Sequence, residues 1–443
     1  MSTNQTHSAK PAFTNHMVEW FRHSAPYIHS HRDKTFVIML PGDAIESPNF
    51  ADTVADISLL NSLGVRLVLA CGARSQIDAE LACTGLTPKF HAGIRITDEP
   101  TLARVVAAAS GVRSRVEALL SSGLINSPMH GARVRVASGN LITAKPIGVR
   151  DGVDFHYTGE VRRIDTKAIN RYLDDDAIVV LPSLGYSASG EIFNVPIEQV
   201  AAELARALKA DKVIAFIDAG GVQVDGELAR ELQPQQAASV ITAQAPIDQA
   251  ALRACLQAVN DGCGRAHLIS YREDGALLAE LFTREGAGTL ICRESAESIR
   301  PATLKDVGGI LELIRPLEEN GVLVRRSREM LELDIQSFTV IEHEGVIAAC
   351  IALYLYPEAS MAEIACVATH PHYRTGGRAA QLLAHAEQQA AQQGISKTFV
   401  LTTQTEQWFV EKGYQPASLN DLPEAKKARY NRERNSKIFI KSI

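Results

Sequence analysis

The sequence predicts an α/β protein of two domains: an open, mainly parallel sheet with helices on both faces, then a smaller α+β domain. Three observations predict it. Short apolar, β-branched runs such as TFVIML (35–40), VRLVLA (65–70), DAIVVLP (176–182) and KVIAFI (212–217) are continuous rather than alternating, which marks strands covered on both faces. Helix-patterned stretches separate them, at 51–63 and 196–209 among others, and strands alternating with helices build parallel sheets. The 443 residues exceed the roughly 250–300 over which a single core keeps growing, and the pattern changes near 292–306, where a second domain should begin.

Ahead of the first strand, Phe13, Met17, Trp20, Phe21, Tyr27 and Ile28 fall near helical spacing. They predict an amphipathic helix within residues 1–29, packed on its own domain or on another subunit. The sheet and its helices take residues 30–290. Within them the polar excursion HGARVRVASGNLITAKPIGVRDGVDFHYTGEVRRID (130–165) reads as a β-rich insertion between two halves of the sheet. A connector follows at 291–298. The second domain, 299–443, reads as helices at 306–319 and 327–335, strands at 337–342, 346–354 and 361–368, and a helix at 377–393. A strand at 396–402, a helix at 406–412 and a last strand near 437–442 complete it.

The net charge of −6 offers no general surface for nucleic acid, which selects basic patches or stripes, so any anionic ligand must be held locally. Cys71, Cys83, Cys255, Cys263, Cys292, Cys350 and Cys366 are scattered, with no C-x-x-C pair and no zinc-type spacing. They predict reduced thiols and no metal. No run approaches the roughly 18 apolar residues of a membrane span, and MSTNQTHSAK lacks the apolar core of a secretory signal. A cytoplasmic protein without a membrane partner is expected.

The stretch HPHYRTGGRAAQLLAHA (370–386) sets an arginine and two adjacent glycines between a strand-like run and an amphipathic helix. A turn of this kind at a helix N-terminus presents unpaired N–H groups and the positive end of the helix dipole, which suits an anion such as pyrophosphate. Without a ligand it is simply a Gly-rich turn. VLVRRSRE sets Arg325, Arg326 and Arg328 within four positions, and guanidinium forks suit carboxylates. One of two adjacent arginines usually points inward, and Arg326 is the choice. RYNRERNSK adds Arg429, Arg432 and Arg434, which spacing does not separate.

With Arg374-x-x-Gly377-x-Ala379 between strand and helix, the second domain resembles the GNAT acetyltransferases. That resemblance implies that the backbone of Arg374, Thr375, Gly376, Gly377, Arg378, Ala379 and Ala380 wraps the coenzyme A pyrophosphate. It further implies that the backbone of Cys366 and Val367 holds the pantetheine arm. Acetyl transfer to an amine needs the amine neutral, so a base must take its proton. Glu363, in the otherwise apolar MAEIACVA, is the candidate, because partial burial would strengthen it as a base. By the same resemblance Thr402, closing KTFVLTT, lies on the strand that splays from the Glu363 strand and donates to the leaving thiolate; Thr403 is its competitor, facing the other way.

The segments ESAESIRPATLKDVGGILELIRPLEENGVLVRRSRE, EIACVATHPHYR and LTTQTEQWFVEKGY are similar to those of bacterial N-acetylglutamate synthases. This implies acetyl-CoA as cosubstrate and L-glutamate as acceptor, in the first step of arginine biosynthesis. It implies Arg326, Arg434 and Cys366 at the glutamate, Cys366 also bordering the acetyl group, and so separates Arg434 from its neighbours.

In the first domain KTFVIMLPGDAI, ACGARSQID, GIRITD and FNVPIEQVAAELARALKADKVIAFID resemble the amino-acid kinase family. A phosphoryl-transfer site of that family starts with a lysine and paired glycines after the first strand, because a cation must stabilise charge on the phosphate. Here Met39 and Pro41 occupy that stretch with only Gly42, so phosphoryl transfer is not expected. HLISYREDGALLAELFTREGAGT (267–289) resembles arginine-sensitive members instead. That implies an L-arginine effector site lined by His267, Glu280 and Gly286, with Lys212 against the effector's aliphatic part and Tyr27 beside it. Feedback inhibition and a homo-oligomer, a hexamer by resemblance, are implied too. Two other readings are a GNAT enzyme acting on a protein lysine or another amino acid, and a non-enzymatic arginine-binding regulator. Intact Arg374, Gly377 and Glu363 speak against the latter.

Overall fold

The computed structural model describes residues 12–443 apart from 124, 126, 284–285, 294–296, 344–345, 375–376 and 433. It divides into two compact units, Met1–Glu294 and Ser295–Ile443.

Unit 1 opens with α1 (Ala12–His31), β1 (Thr35–Leu40), α2 (Phe50–Ser62), β2 (Arg66–Cys71), α3 (Arg74–Cys83) and α4 (Glu99–Leu120). Then come β3 (Arg135–Ala137), β4 (Ile142–Pro146), β5 (Gly159–Ile164), β6 (Ala177–Pro182), β7 (Leu184–Tyr186) and β8 (Ile192–Asn194). The unit closes with α5 (Ile197–Leu208), β9 (Lys212–Ile217), β10 (Glu231–Leu232), α6 (Pro246–Asn260), β11 (Arg265–Ser270), α7 (Ala276–Phe282) and β12 (Thr289–Cys292). Eight strands form one sheet in the order β10-β12-β11-β9-β1-β2-β6-β3, parallel from β11 through β3. Continuous apolar runs demand two covers, and both are present: Val37 and Met39 pack into a core with α5 and α6, whereas Phe36, Ile38 and Leu40 pack into another with α2, α4 and α7. The polar excursion is divided. β3 extends the main sheet beside β6, at its edge, while β4 and β5 join β7 and β8 in a separate four-stranded sheet. The α4 helix starts at Asp98, whose carboxylate accepts from the Thr101 N–H at 3.1 Å, an N-cap that satisfies one orphan donor.

Unit 2 runs β13 (Glu297–Pro301), α8 (Val307–Glu319), α9 (Arg328–Asp334), β14 (Phe338–His343), β15 (Val346–Tyr356) and β16 (Met361–Thr369). It continues with α10 (Arg378–Gln392), β17 (Lys397–Thr402), α11 (Glu406–Glu411), β18 (Gln415–Ala417), α12 (Glu424–Lys427) and β19 (Lys437–Ser442). One seven-stranded sheet, β13-β14-β15-β16-β17-β19-β18, carries α8 and α9 on the face of Cys350, Ala352 and Cys366 and α10 on the face of Ile351, Ile364 and Val400. β16 and β17 run parallel and pair from Met361↔Lys397 to Ile364↔Val400, where the pairing among the described residues stops. Beyond it β16 bulges: its register against β15 shifts between Cys350 and Ala352, and Cys366 takes φ +54°. β17 meanwhile stays on β19 as far as Thr402↔Lys437. The strands part, and Cys366, Val367 and Thr402 border the gap.

Candidate active site

Glu363 on β16 faces Tyr354 across β15 and is only 7% exposed. Its Oε1 accepts from Lys426 Nζ on α12 at 2.6 Å, and its Oε2 accepts from the Tyr356 hydroxyl at 3.3 Å. Burial first, and the Glu363 charge next, push the Tyr356 phenol up to about 12, so Tyr356 stays a donor. Tyr354 in turn accepts from Arg326 Nη1 at 2.8 Å and donates to Asp334 Oδ2 at 3.3 Å. The Arg326 guanidinium lies 5.7 Å from the ring centres of both Phe338 and Tyr354. Burial opposes its charge, but Cys366, Tyr354 and Asp334 more than offset that and raise its pKa. Arg434 donates through Nη2 to the carbonyls of Gly321, at 3.4 Å, and Val322. It therefore braces the loop that carries Arg326, and its buried Nε has no partner among the described residues.

The fold thus gathers Glu363 and Arg326, and it adds Tyr354, Tyr356, Asp334 and Lys426, which the sequence did not single out. Tyr354 and Tyr356 read as ordinary strand aromatics. Lys426 sits in a charged run, PEAKKARYNRERNSK, where nothing local separates it from solvated neighbours.

At the start of α10, Gly377 is the N-cap at φ +71°, and no side chain caps the first turn of Arg378, Ala379 and Ala380. A Cβ on Gly377 would meet nothing within 4 Å, so its glycine answers to the left-handed backbone rather than to crowding by the protein. Arg374 is exposed; Thr375 and Gly376 lie outside the described residues. Arg378 turns inward: Nε donates to Glu297 Oε1 at 2.7 Å, Nη2 to the same oxygen, and Nη1 to the Tyr373 carbonyl at 3.2 Å. Its side chain thus ties the first turn of α10 to β13 and to Tyr373.

Thr402 is buried. Its Oγ1 accepts from the N–H groups of Gln404 at 3.3 Å and Thr405 at 3.1 Å, and shares a 2.9 Å hydrogen bond with Thr405 Oγ1. With both lone pairs taken by amides, its proton goes to Thr405 Oγ1 and has to leave that bond to reach a ligand. Thr403 is exposed.

In unit 1, His267 on β11 and Glu280 on α7 are each 5% exposed and meet at 2.6 Å, Nδ1 to Oε1. Glu280 Oε2 accepts from the N–H groups of Ala287 at 2.7 Å and Gly288 at 2.8 Å. Burial raises the Glu280 pKa, but the His267 bond and those amides outweigh it and hold the carboxyl near 2. Burial lowers the His267 pKa, and its Nε2 has no partner among the described residues. Gly286 is required here twice over, by φ +63° and because a Cβ would come 2.6 Å from Glu280 Oε2. Lys212, buried over the Phe36 ring at 5.8 Å, is lowered to about 7 chiefly by burial, with Arg265 adding. Tyr27 is half-buried on the same core. Glu280 accordingly stands as an internally satisfied carboxylate with one lone pair to offer, not as an open one.

Where β1, β9 and β11 end, a cavity of about 710 Å³ opens beside Met39 and Pro41. Asp43, Glu46, Glu198, Asp218 and Asp248 line it, and its arginine, Arg272, is bound to Asp218. A cavity of this sign repels polyphosphate. Among the described residues no group of His, Cys, Asp and Glu suits a metal ion.

This geometry is matched by known proteins. The amino acid kinase family model matches residues 34–269, and the acetyltransferase (GNAT) family model matches residues 309–408. The amino-acid acetyltransferase of Pseudomonas fluorescens (strain Pf0-1) is 54% identical over 96% of this chain and 99% of its own. That of Ectopseudomonas mendocina is 53% identical over the same shares. Among solved structures, N-acetylglutamate synthase from Neisseria gonorrhoeae, complexed with coenzyme A and L-arginine, superposes with a TM-score of 0.88 at 40% identity, covering 96% of this chain and 99% of that one. The same enzyme complexed with coenzyme A and N-acetyl-glutamate gives 0.62 at 41% identity over the same shares. The chain belongs to the amino-acid acetyltransferases, built from an amino-acid kinase-like unit and a GNAT acetyltransferase unit.

Proposed function

We propose that this amino-acid acetyltransferase moves acetyl from acetyl-CoA to the amine of L-glutamate, opening arginine biosynthesis, and that L-arginine inhibits it. The observation that carries the reading is the linkage of Glu363, Tyr354 and Arg326 on one sheet face, beside the gap between β16 and β17. The amides from Arg374 to Ala380 hold the pyrophosphate at the α10 N-terminus, and those of Cys366 and Val367 hold the pantetheine arm in the gap. Arg326 and Arg434 bind the substrate's side-chain carboxylate, with Cys366 bordering it and the acetyl group. Glu363 takes a proton from the ammonium; the amine attacks the thioester carbon, the C–N bond forms and the C–S bond breaks. As the C–S bond breaks, the proton the nitrogen must still shed passes to the departing sulfur by way of the Thr402 hydroxyl, which is thereby restored. The N. gonorrhoeae relative with bound coenzyme A and N-acetyl-glutamate supports the choice of ligands.

L-arginine binds in unit 1 around His267, Glu280, Gly286, Lys212 and Tyr27; the relative's arginine complex supports the choice of effector. Ser24 Oγ and His31 Nε2 of α1 bond to the carbonyls of Phe282 at 3.4 Å and Leu281 at 2.9 Å, so α1 and the Glu280 helix shift together when the site fills. Exposed Val18 and Phe21 on α1 suit contact with another copy in a homo-oligomer, by resemblance a hexamer. None of the described helices is long and apolar enough to cross a membrane, and a cytoplasmic setting agrees with the free thiols.

Thiol release from acetyl-CoA tests the reading. Glutamate should be the preferred acceptor in an amino-acid panel, arginine should slow it, and Glu363→Gln should cut its rate by about 10²–10⁴-fold. No release above background with glutamate would overturn the proposal.

A further inference from the structure

We propose that Lys426 is a positioning residue for acetyl transfer: it holds the Glu363 carboxylate by Oε1, so that Oε2 faces the incoming amine. The inference rests on the reading of Glu363 as the base. A carboxylate that must collect a proton needs one oxygen directed at the amine, yet a lone carboxylate can rotate. Here the two oxygens are unequal. Oε1 meets the ammonium at 2.6 Å, whereas among the described residues Oε2 has the longer Tyr356 contact at 3.3 Å, which an arriving amine can supplant.

The pair is not a surface accident. The Lys426 side chain is 21% exposed and that of Glu363 9%, so the ion pair lies in a poorly screened place where removing one partner leaves the other uncompensated. The adjacent Lys427, itself 25% exposed, pairs instead with Glu424, whose side chain is 88% exposed. Packing decides between the two lysines. Leu422 is buried against Met361, Phe399 and Ile438, and Phe399 is in register with Glu363, so α12 is anchored over the face that presents the base. Ahead of it, the Ser418 N–H and Oγ both donate to Asp421, at 2.8 and 2.7 Å, and close a tight turn into that anchor. The Lys426 N–H then donates to the Pro423 carbonyl at 2.9 Å. Its ammonium therefore reaches Glu363 from a placed backbone.

The test is a double-mutant cycle on the full-length enzyme with glutamate, read by thiol release. Lys426→Met should lower kcat by about 10-fold or more, since an aligned base is worth about 10²–10⁴-fold, and leave the KM for acetyl-CoA unchanged. Lys426→Arg, which restores a cation at Oε1, should recover most of the loss. Added to Glu363→Gln, Lys426→Met should cost nothing further, because it acts only through that carboxylate. Wild-type kcat in Lys426→Met beside a strongly slowed but measurable Glu363→Gln sinks this inference alone. An equal loss from Lys426→Met on both backgrounds also overturns it, as a purely structural effect. Full activity in Glu363→Gln overturns the base assignment and this inference with it.

Discussion

Tyr354 and Glu363 stand opposite each other on β15 and β16, and the Tyr354 hydroxyl accepts from Arg326 at 2.8 Å. One phenol ties the strand of the base to the guanidinium proposed for the acceptor's carboxylate.

Tyr354→Phe keeps the ring under Arg326 and deletes the hydroxyl. A hydrogen bond to a charged group is worth about 1.5–3 kcal/mol, so the KM for glutamate should rise about tenfold or more while that for acetyl-CoA stays. Initial rates at varied glutamate measure it. An unmoved glutamate KM would show that Arg326 is held without the phenol.

The Glu297–Arg378 pair joins the first strand of unit 2 to the first turn of α10, and both side chains are largely buried. Glu297→Gln removes the Glu297 charge from beside the guanidinium and loosens the turn. Coenzyme A affinity, read by calorimetric titration, should drop several-fold. Unchanged affinity would mean that the turn keeps its shape without the pair.

Gly286→Ala forces a methyl group toward Glu280 Oε2 at 2.6 Å in a backbone of φ +63°. Strain of this kind costs about 1–3 kcal/mol, so thermal unfolding should begin several degrees lower and inhibition by arginine should weaken. An alanine variant with full stability and full inhibition would remove this turn from the effector site.

Acid should loosen unit 1 in two windows. Burial drops His31 from 6.5 to about 3, so the unfolded chain takes up the proton first as pH falls. The stability tied to its neutral form is complete above 6.5 and is lost as pH falls toward about 3. Glu280, moved from 4.5 to about 2, contributes above 4.5 and loses its contribution as pH falls through about 2. That shift corresponds to a loss on the order of 3 kcal/mol. Denaturant midpoints between pH 7 and about 2 report both. His31→Gln should flatten the first window and Glu280→Gln the second, and an unaltered slope in either variant would contradict the assignment.

How much was legible depends on how local the cause is. β1, β9 and β19 fall where the apolar runs put them, because burial on both faces leaves its mark residue by residue. β13 is an exception: ESIRP is charged, mostly exposed and ends in proline, and only pairing with β14 makes it a strand. Glu363 stood out because a carboxylate in an apolar strand is conspicuous by type. Tyr354 and Lys426 are unremarkable by type.

The sequence by itself determined that two units form, where most strands and helices lie, that Met39 and Pro41, not a lysine, stand at the end of the first strand of the kinase-like unit, and that a glycine-rich turn opens α10. Each follows from side-chain pattern over a few neighbouring positions. The tertiary structure alone decided that Glu363 meets Lys426 across 63 positions, that Arg378 meets Glu297 across 81, and that Arg434 braces Val322 across 112. Contacts at such separations depend on register, bulges and packed anchors such as Leu422, and a chain read along its length contains no distance between residues that far apart.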